Sequence, residues 1–326
     1  MAGKILVTGA GGFIGSHLVE QLVTNGHDVR AFVHYNAAGG WHNLEKLPSD
    51  IRESIEVVAG DIADPYFVEN AVAGCDIVFH LAALVGIPYS YIAPKVYIST
   101  NVNGTLNVLE ACRRHDVSRL VHTSTSETYG SAQYIPIDEK HPLVGQSPYS
   151  ASKIGADKIA ESYYRSFNLP VCIIRPFNTY GPRQSARAFI PTVIAQALAG
   201  DVVRLGNLDP VRDMTFVKDT VRGFVAGAHS DRCIGTVCNL GVGEGRSIGE
   251  FVEQIGALLG KELKVETDPD RVRPPKSEVS RLISNNSKIK ELAGWQPVVS
   301  FEDGLQQTID YIRAHLSDYK VEQYNV

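Results

Sequence analysis

Two short stretches carry residues that could do chemistry. "YSASK" sets Tyr149 and Lys153 four positions apart, the spacing that puts two side chains on one face of a helix. A phenol with its ordinary pKa of about 10 is a poor base at neutral pH. A neighbouring ammonium favours the phenolate and moves the tyrosine toward a working range. The second stretch, "HTSTSETYG" over 122–130, gathers Thr123, Ser124, Thr125, Ser126 and Thr128 around the carboxylate of Glu127. Hydroxyl-rich runs are usually caps and turns. A carboxylate at a strand end can also serve as a general base. What the rest of the chain places beside it decides between the two.

The elements that would position these residues are legible. "KILVTGAGGFIGSHLVEQLVTNGHDVRAFV" reads as strand, glycine turn, helix, turn, strand. Ile5, Leu6 and Val7 are apolar on both faces, as a buried parallel strand requires. Ile14, Leu18, Leu22 and Val23 follow at helical steps. "SIEVVAGDI", "CDIVFHLAA", "SRLVHTSTS" and "PVCIIRPF" repeat the strand pattern, and "NVNGTLNVLEACRRH" and "SPYSASKIGADKIAESYYRSF" are the clearest helices. The alternation predicts an α/β, Rossmann-type doubly wound parallel sheet over residues 1–177. Beyond residue 178, punctuation such as "YGPRQ", "GNLDP" and "TDPDRVRPPK" predicts a smaller, irregular lobe over 178–326, with later segments returning to the sheet. Ligands of open parallel sheets bind at the carboxyl ends of strands, where "HTSTSETYG" begins.

Gly9, Gly12 and Gly15 lie between the first strand and its helix. There they let the backbone turn tightly and approach a pyrophosphate, whose charge the helix N-terminus favours. In that context they predict dinucleotide binding. The second strand ends "AFVHYN", so His34, Tyr35 and Asn36 stand where an acid would accept from a bare ribose 2′-hydroxyl. With no carboxylate to repel a 2′-phosphate, NADP is favoured over NAD. With no arginine there, NADP is not required. Asp61 in "AGDIAD" follows the third strand, either as acceptor for an adenine amino group or as a loop cap.

Composition bounds the rest. Of 326 residues, 44% are hydrophobic and 21% charged, near globular averages. A net charge of -5 without a Lys/Arg run argues against nucleic-acid or anionic-membrane partners. The apolar run "CDIVFHLAALVGI" is too short to cross a bilayer and contains His80, itself read as a satisfied strand-end histidine. The strand pattern at Lys4 leaves no room for a signal peptide. Five scattered cysteines read as reduced core thiols of a cytoplasmic protein. The histidines show no metal-ligand spacing, and no metal is expected.

Together these residues carry a family resemblance. The chain resembles the extended short-chain dehydrogenase/reductases, within the nucleotide-sugar epimerases and dehydratases, nearly end to end. The matching motifs are "TGAGGFIG", "GDIAD", "HLAA", "TNVNGT", "STSETYG", "PYSASK", "RPFNTYGPRQ", "RDMTFVKDT", "RPPKSE" and "LAGWQP". "TSETYG" is similar to the 4,6-dehydratases, especially those of the GDP-mannose type and the N-acetylglucosamine-nucleotide 4,6-dehydratases of legionaminic acid pathways. The resemblance implies a tightly held NADP or NAD, regenerated each turnover, touching Gly9, Gly12, Phe13, Ile14, Gly15, His34, Tyr35, Asn36, Asp61, Ile62, Leu81, Ala82, Ala83, Asn101, Tyr149 and Lys153.

It also implies roles. Thr125 would hydrogen-bond the sugar 4-hydroxyl while Tyr149 removes its proton, and Glu127 would take the C5 proton before water leaves from C6. The product is a 4-keto-6-deoxy sugar nucleotide, formed from UDP- or GDP-N-acetylglucosamine or a related NDP-hexose. Glucose-type dehydratases carry Asp where this chain has Ser126, which leaves the acid for the departing hydroxyl unassigned. Tyr89, Tyr91, Asn178, Arg183, Arg212 and Arg273 would hold the nucleotide sugar, while Arg175 anchors its loop. A homodimer is expected through helices near 103–115 and 148–166, by way of Leu106, Val108, Leu109, Ile154, Ile159, Tyr163 and Tyr164. The alternatives are a UDP-sugar 4-epimerase, which has no use for Glu127, and a non-catalytic dinucleotide sensor, which would not need the Tyr/Lys pair.

Overall fold

In the computed structural model, which describes residues 3–272 and 274–321, seven parallel strands form one sheet. They are β1 (Ile5–Thr8), β2 (Val29–His34), β3 (Glu56–Gly60), β4 (Ile77–His80), β5 (Arg119–Thr123), β6 (Val171–Pro176) and β7 (Val237–Leu240). Their spatial order is β3-β2-β1-β4-β5-β6-β7. The order reverses between β1 and β4, and such a reversal opens a crevice at the carboxyl edge. Thr8 and His80 stand side by side there, as do His80 and His122 one strand further on.

The central strands are buried on both faces, because helices cover both, while the edge strand β3 is partly exposed. On one face α1 (Phe13–Thr24) supplies Leu18 and Leu22, and α6 (Val217–His229) supplies Val221 and Phe224, against Val7, Ala31 and Ile174 of the sheet. On the other, α2 (Pro65–Val72), α3 (Gly104–Arg114) and α4 (Pro148–Phe167) pack Val68, Leu109 and Ala160 against Leu6, Val78 and Leu120. The chain enters α3 through the short helix Pro94–Tyr97 and a π-helical turn, Ile98–Asn103. Helix α4 starts sharply: Ser147 caps it in a capping box with Ser150, and Pro148 occupies the first turn. That start places Tyr149 at the carboxyl edge of the sheet.

Beyond residue 178 the chain returns to the sheet through α6 and β7, and elsewhere builds the second lobe. Helices α5 (Phe189–Ala199), α7 (Ile248–Leu259) and α8 (Phe301–Ala314) frame pairs and triplets of short strands. Glycine and proline punctuation hid these helices. In α5, "FIPTVIAQALA" is apolar nearly all round, with Ile190, Val193, Ile194, Ala195 and Ala197 buried, so no polar stripe announces it. Among the described residues no helix is long and apolar enough to cross a membrane.

Candidate active site

The reacting groups meet where β5 and α4 converge. After β5 the chain makes a single 3-10 turn, Ser126–Tyr129, capped by Thr125, whose Oγ1 accepts the Glu127 N–H at 3.3 Å. Thr128 Oγ1 closes the same turn by donating to the Thr125 carbonyl at 2.7 Å. The Thr125 side chain lies close enough to the Tyr149 hydroxyl to favour its phenolate, and the Glu127 carboxylate acts on it electrostatically in the other direction. Thr125, Glu127 and Tyr149 therefore form one cluster. The edge of Tyr97 fixes the Tyr149 ring, with centroids 6.2 Å apart and planes at 77°.

The charges differ from the expectation drawn from the Tyr/Lys spacing. Burial pushes the Tyr149 phenol above its usual range; the Thr125 side chain opposes this, and Glu127 adds to it. Lys153 is engaged elsewhere. Its Nζ is turned to the Thr123 carbonyl at 2.6 Å, and burial lowers the ammonium to about 8 despite the opposing pull of Asp157.

The dinucleotide end is built around the glycine turn. Gly9 has φ +70°, and a Cβ there would lie 2.8 Å from the Ala82 nitrogen, so the close crossing requires glycine. Gly15 meets the Gly9 carbonyl, where a Cβ would lie 2.2 Å away, which seats α1 on the turn. Gly12 is exposed and opens α1 with no capping side chain and no acid in the first turn. The first-turn amides of Phe13 and Ile14 can thus meet a phosphate at the positive end of the helix. Thr8 Oγ1 accepts from Leu81 and Ala82 and pairs with His80, whose other nitrogen meets Thr105, so His80 is satisfied. Leu81, Ala82 and Ala83 are half-buried along the crevice.

Several predicted contacts have other employment. Asn101 is fully buried in the π-helical turn, its amide bonded to both backbone polar groups of Leu84 and to Ser152. These bonds position the loop after β4. Asn36 closes its own loop on Gly40, leaving His34 and Tyr35 exposed at the end of β2. Asp61 caps its loop through the Ala63 N–H at 2.9 Å, and Ile62 packs beneath Gly104.

On the sugar side, Asn178 Oδ1 and Thr123 Oγ1 are buried without a hydrogen-bond partner among the described residues. Such orphaned atoms need explaining, and a polar ligand would satisfy them. Tyr89 lies beside Tyr97 with ring centroids 6.2 Å apart, near the Tyr149 cluster. Tyr91 instead pairs with Ser277 at 2.5 Å, joining the two lobes. The Arg183 guanidinium is buried against His17 and bonded to Glu20 of α1, where the Pro182 carbonyl and His17 hold the loop. Arg212 is buried, with contacts to the Val211 carbonyl and Glu278. Arg273 lies outside the described residues.

Four further residues support the site. Asp157 is one helical turn beyond Lys153, and its carboxylate binds Arg175 at 2.7 Å, Ser124 at 2.5 Å and His122 at 3.2 Å. The i, i+4, i+8 stripe of Tyr149, Lys153 and Asp157 could have revealed it, and so could a charged Arg175 inside an apolar strand. Among the described residues no cluster of histidine, cysteine and acidic side chains is arranged to hold a metal.

Comparison with known proteins gives this arrangement a family. The family model described as GDP-mannose 4,6 dehydratase matches residues 6–308. The chain belongs to that family of extended short-chain dehydrogenases, the nucleotide-sugar dehydratases and epimerases. A dTDP-glucose 4,6-dehydratase from an Actinoplanes species is 34% identical, with 96% of this chain and 99% of that one aligned. The structure of DesIV, a dTDP-glucose 4,6-dehydratase from Streptomyces venezuelae with NAD and TYD bound, superposes with a TM-score of 0.87 at 32% identity, covering 98% of this chain and 100% of the other. A UDP-glucuronic acid 4-epimerase from Bacillus cereus, in complex with its sugar nucleotide and NAD, superposes with a TM-score of 0.86 at 30% identity, covering 96% and 99%. Dehydratases and epimerases thus share this fold at nearly equal distance from the chain.

Proposed function

We propose that the protein is a nucleotide-sugar 4,6-dehydratase that forms a 4-keto-6-deoxy sugar nucleotide with a tightly held NADP or NAD. The observation that carries this reading is Glu127, set in the same turn as Thr125 and acting on Tyr149. Epimerisation needs the phenol and the threonine but no carboxylate at that place.

A bound nicotinamide would supply the redox chemistry, as the store for the hydride that moves from sugar C4 to C6. The chain's own groups move the protons. Tyr149 accepts the 4-hydroxyl proton while Thr125 holds that oxygen. Burial keeps the phenol protonated at neutral pH, and the Lys153 ammonium is held by the Thr123 carbonyl; a bound oxidised nicotinamide would add positive charge that favours the phenolate. The 4-ketone then acidifies the C5 hydrogen, which Glu127 removes as general base. Water leaves from C6. Ser126 is buried and a poor acid, so Glu127 passes its proton to the departing hydroxyl. With the hydride that a bound nicotinamide would return to C6, protonation of C5 completes the product, and that proton balances the one Tyr149 took from the 4-hydroxyl.

The substrate is UDP- or GDP-N-acetylglucosamine or a related NDP-hexose. In this reading Asn178 hydrogen-bonds the diphosphate or the sugar and Arg212 grips the diphosphate, with Arg273 by motif position. NADP is favoured over NAD because the end of β2 carries His34 and Tyr35 and no acid. The enzyme acts in the cytoplasm as a homodimer.

Glu127→Gln tests the assignment. The variant keeps shape but cannot accept the C5 proton, so dehydrated product should fall by about 10²–10⁴. Reduced-nicotinamide absorbance should still appear when the sugar nucleotide is added, because Tyr149 and Thr125 remain. Product at the wild-type rate would remove Glu127 from the mechanism.

A further inference from the structure

A buried ionic knot lies directly beneath the reacting groups. Asp157 is only 3% exposed, and its carboxylate joins three elements. Its Oδ2 accepts from Ser124 Oγ at 2.5 Å and from Arg175 Nη2 at 2.7 Å, while Oδ1 meets His122 Nε2 at 3.2 Å. Arg175 Nε returns to Ser124 Oγ at 3.1 Å, and the guanidinium lies 4.6 Å over the Tyr129 ring. The knot thereby ties α4 and β6 to the end of β5. Ser124 is the residue before Thr125, and the Thr123 carbonyl is the one that Lys153 Nζ grips. One carboxylate therefore sets the position of the segment carrying Thr125 and Glu127 relative to the helix carrying Tyr149 and Lys153.

We propose that Asp157 is a positioning residue for the reaction: it holds the Thr123–Glu127 segment against α4 and keeps the Lys153 ammonium charged inside the protein. The charge environment supports the second role. Burial opposes the Lys153 ammonium, and Asp157 is the group that opposes burial. The other groups facing this pair are accounted for. His80 on β4 and His122 on β5 are wholly buried and held neutral, first by desolvation. Ser124 is a donor to Asp157, and Tyr129 lies under Arg175. Arg175 on β6 stays cationic and is balanced by Asp157 itself, while Glu127 acts on Tyr149. With Asp157 neutralised, two cations would share the site without a buried counter-charge.

This inference rests on the proposed use of Tyr149 and Lys153 with a bound nicotinamide, and its first test needs no cofactor. In cofactor-stripped protein carrying 13C-labelled lysine, the Lys153 signal is assigned by its loss in Lys153→Met. It should titrate near 8 in the wild type. In Asp157→Asn it should titrate about one to three pH units lower, the range expected when a close opposite charge is lost. Asp157→Glu should restore it. The second test follows the pH dependence of kcat/KM for sugar-driven nicotinamide reduction. Its alkaline limb should move down with the Lys153 titration in Asp157→Asn and return in Asp157→Glu. If Asp157→Asn does not fold, the double variant Asp157→Asn with Arg175→Met removes the stranded guanidinium and should show the same Lys153 shift. An unmoved Lys153 titration, or equal loss of activity at every pH in the Asn and Glu variants, would overturn the proposal. A shifted titration with no sugar turnover in the wild type would instead count against the proposed function alone.

Discussion

Replacing Lys153 with Met keeps the length and apolar stem of the side chain and removes its ammonium. In the folded, cofactor-stripped protein that ammonium is buried, and its pKa has fallen from 10.5 to about 8. The roughly 2.5-unit fall corresponds to about 3 kcal/mol borne by the charged form on folding. An unfolded lysine keeps the higher pKa. The penalty is therefore complete below pH 8, fades as pH rises, and is absent above 10.5. Methionine also forfeits the hydrogen bond to the Thr123 carbonyl, a loss of about 1 kcal/mol. The variant should thus be more stable than the wild type by about 2 kcal/mol at neutral pH, with the advantage gone near the unfolded pKa. Urea denaturation of both proteins, stripped of cofactor and repeated across the neutral to alkaline range, reads this difference. The stabilised variant should also retain nicotinamide dinucleotide poorly, the usual conflict between stability and function. A variant that is less stable by one constant margin at every pH would refute the reasoning, because the buried ammonium would then carry no desolvation cost.

Gly9→Ala should lower thermal stability by about 1–3 kcal/mol, since Gly9 sits at φ +70° and the new Cβ would meet the Ala82 backbone; a thermal melt indistinguishable from wild type would contradict this. Static light scattering should give a dimer mass, and Leu106→Glu should give a monomer, because Leu106, Ile98 and Val96 leave apolar surface exposed along the helices from Pro94 to Arg114. Cofactor released from denatured protein should be found by mass to be NADP at least in part; NAD alone would remove the preference drawn from the end of β2.

Much of the sheet was legible because its strands are short apolar runs bounded by turn residues, as in "ILVT" and "VCIIRP". β7 was not, since "VCNL" is only four residues long and carries a polar Asn239 that bonds Tyr129 and Ile137. The cluster of Thr125, Glu127 and Tyr149 followed from motif spacing, and the fold brings those residues together. Arginine roles were harder to read. Arg183, Arg175 and Arg212 look alike in a sequence, yet one binds α1, one the Asp157 knot and one Glu278. Only tertiary contact distinguishes them. The same holds for the expected dimer face: Val108 and Leu109 lie on the same helix as Leu106 but are spent on the chain's own core, as is Tyr163.

The central claim is that Glu127 commits the shared 4-keto chemistry to loss of water. Purified protein incubated with a panel of UDP-, GDP- and dTDP-hexoses, with products read by mass spectrometry, tests that claim most directly. One of them should lose a single water and yield a 4-keto-6-deoxy sugar nucleotide. A product of unchanged mass, separable from its substrate as a C4 isomer, would contradict the claim and make the protein an epimerase.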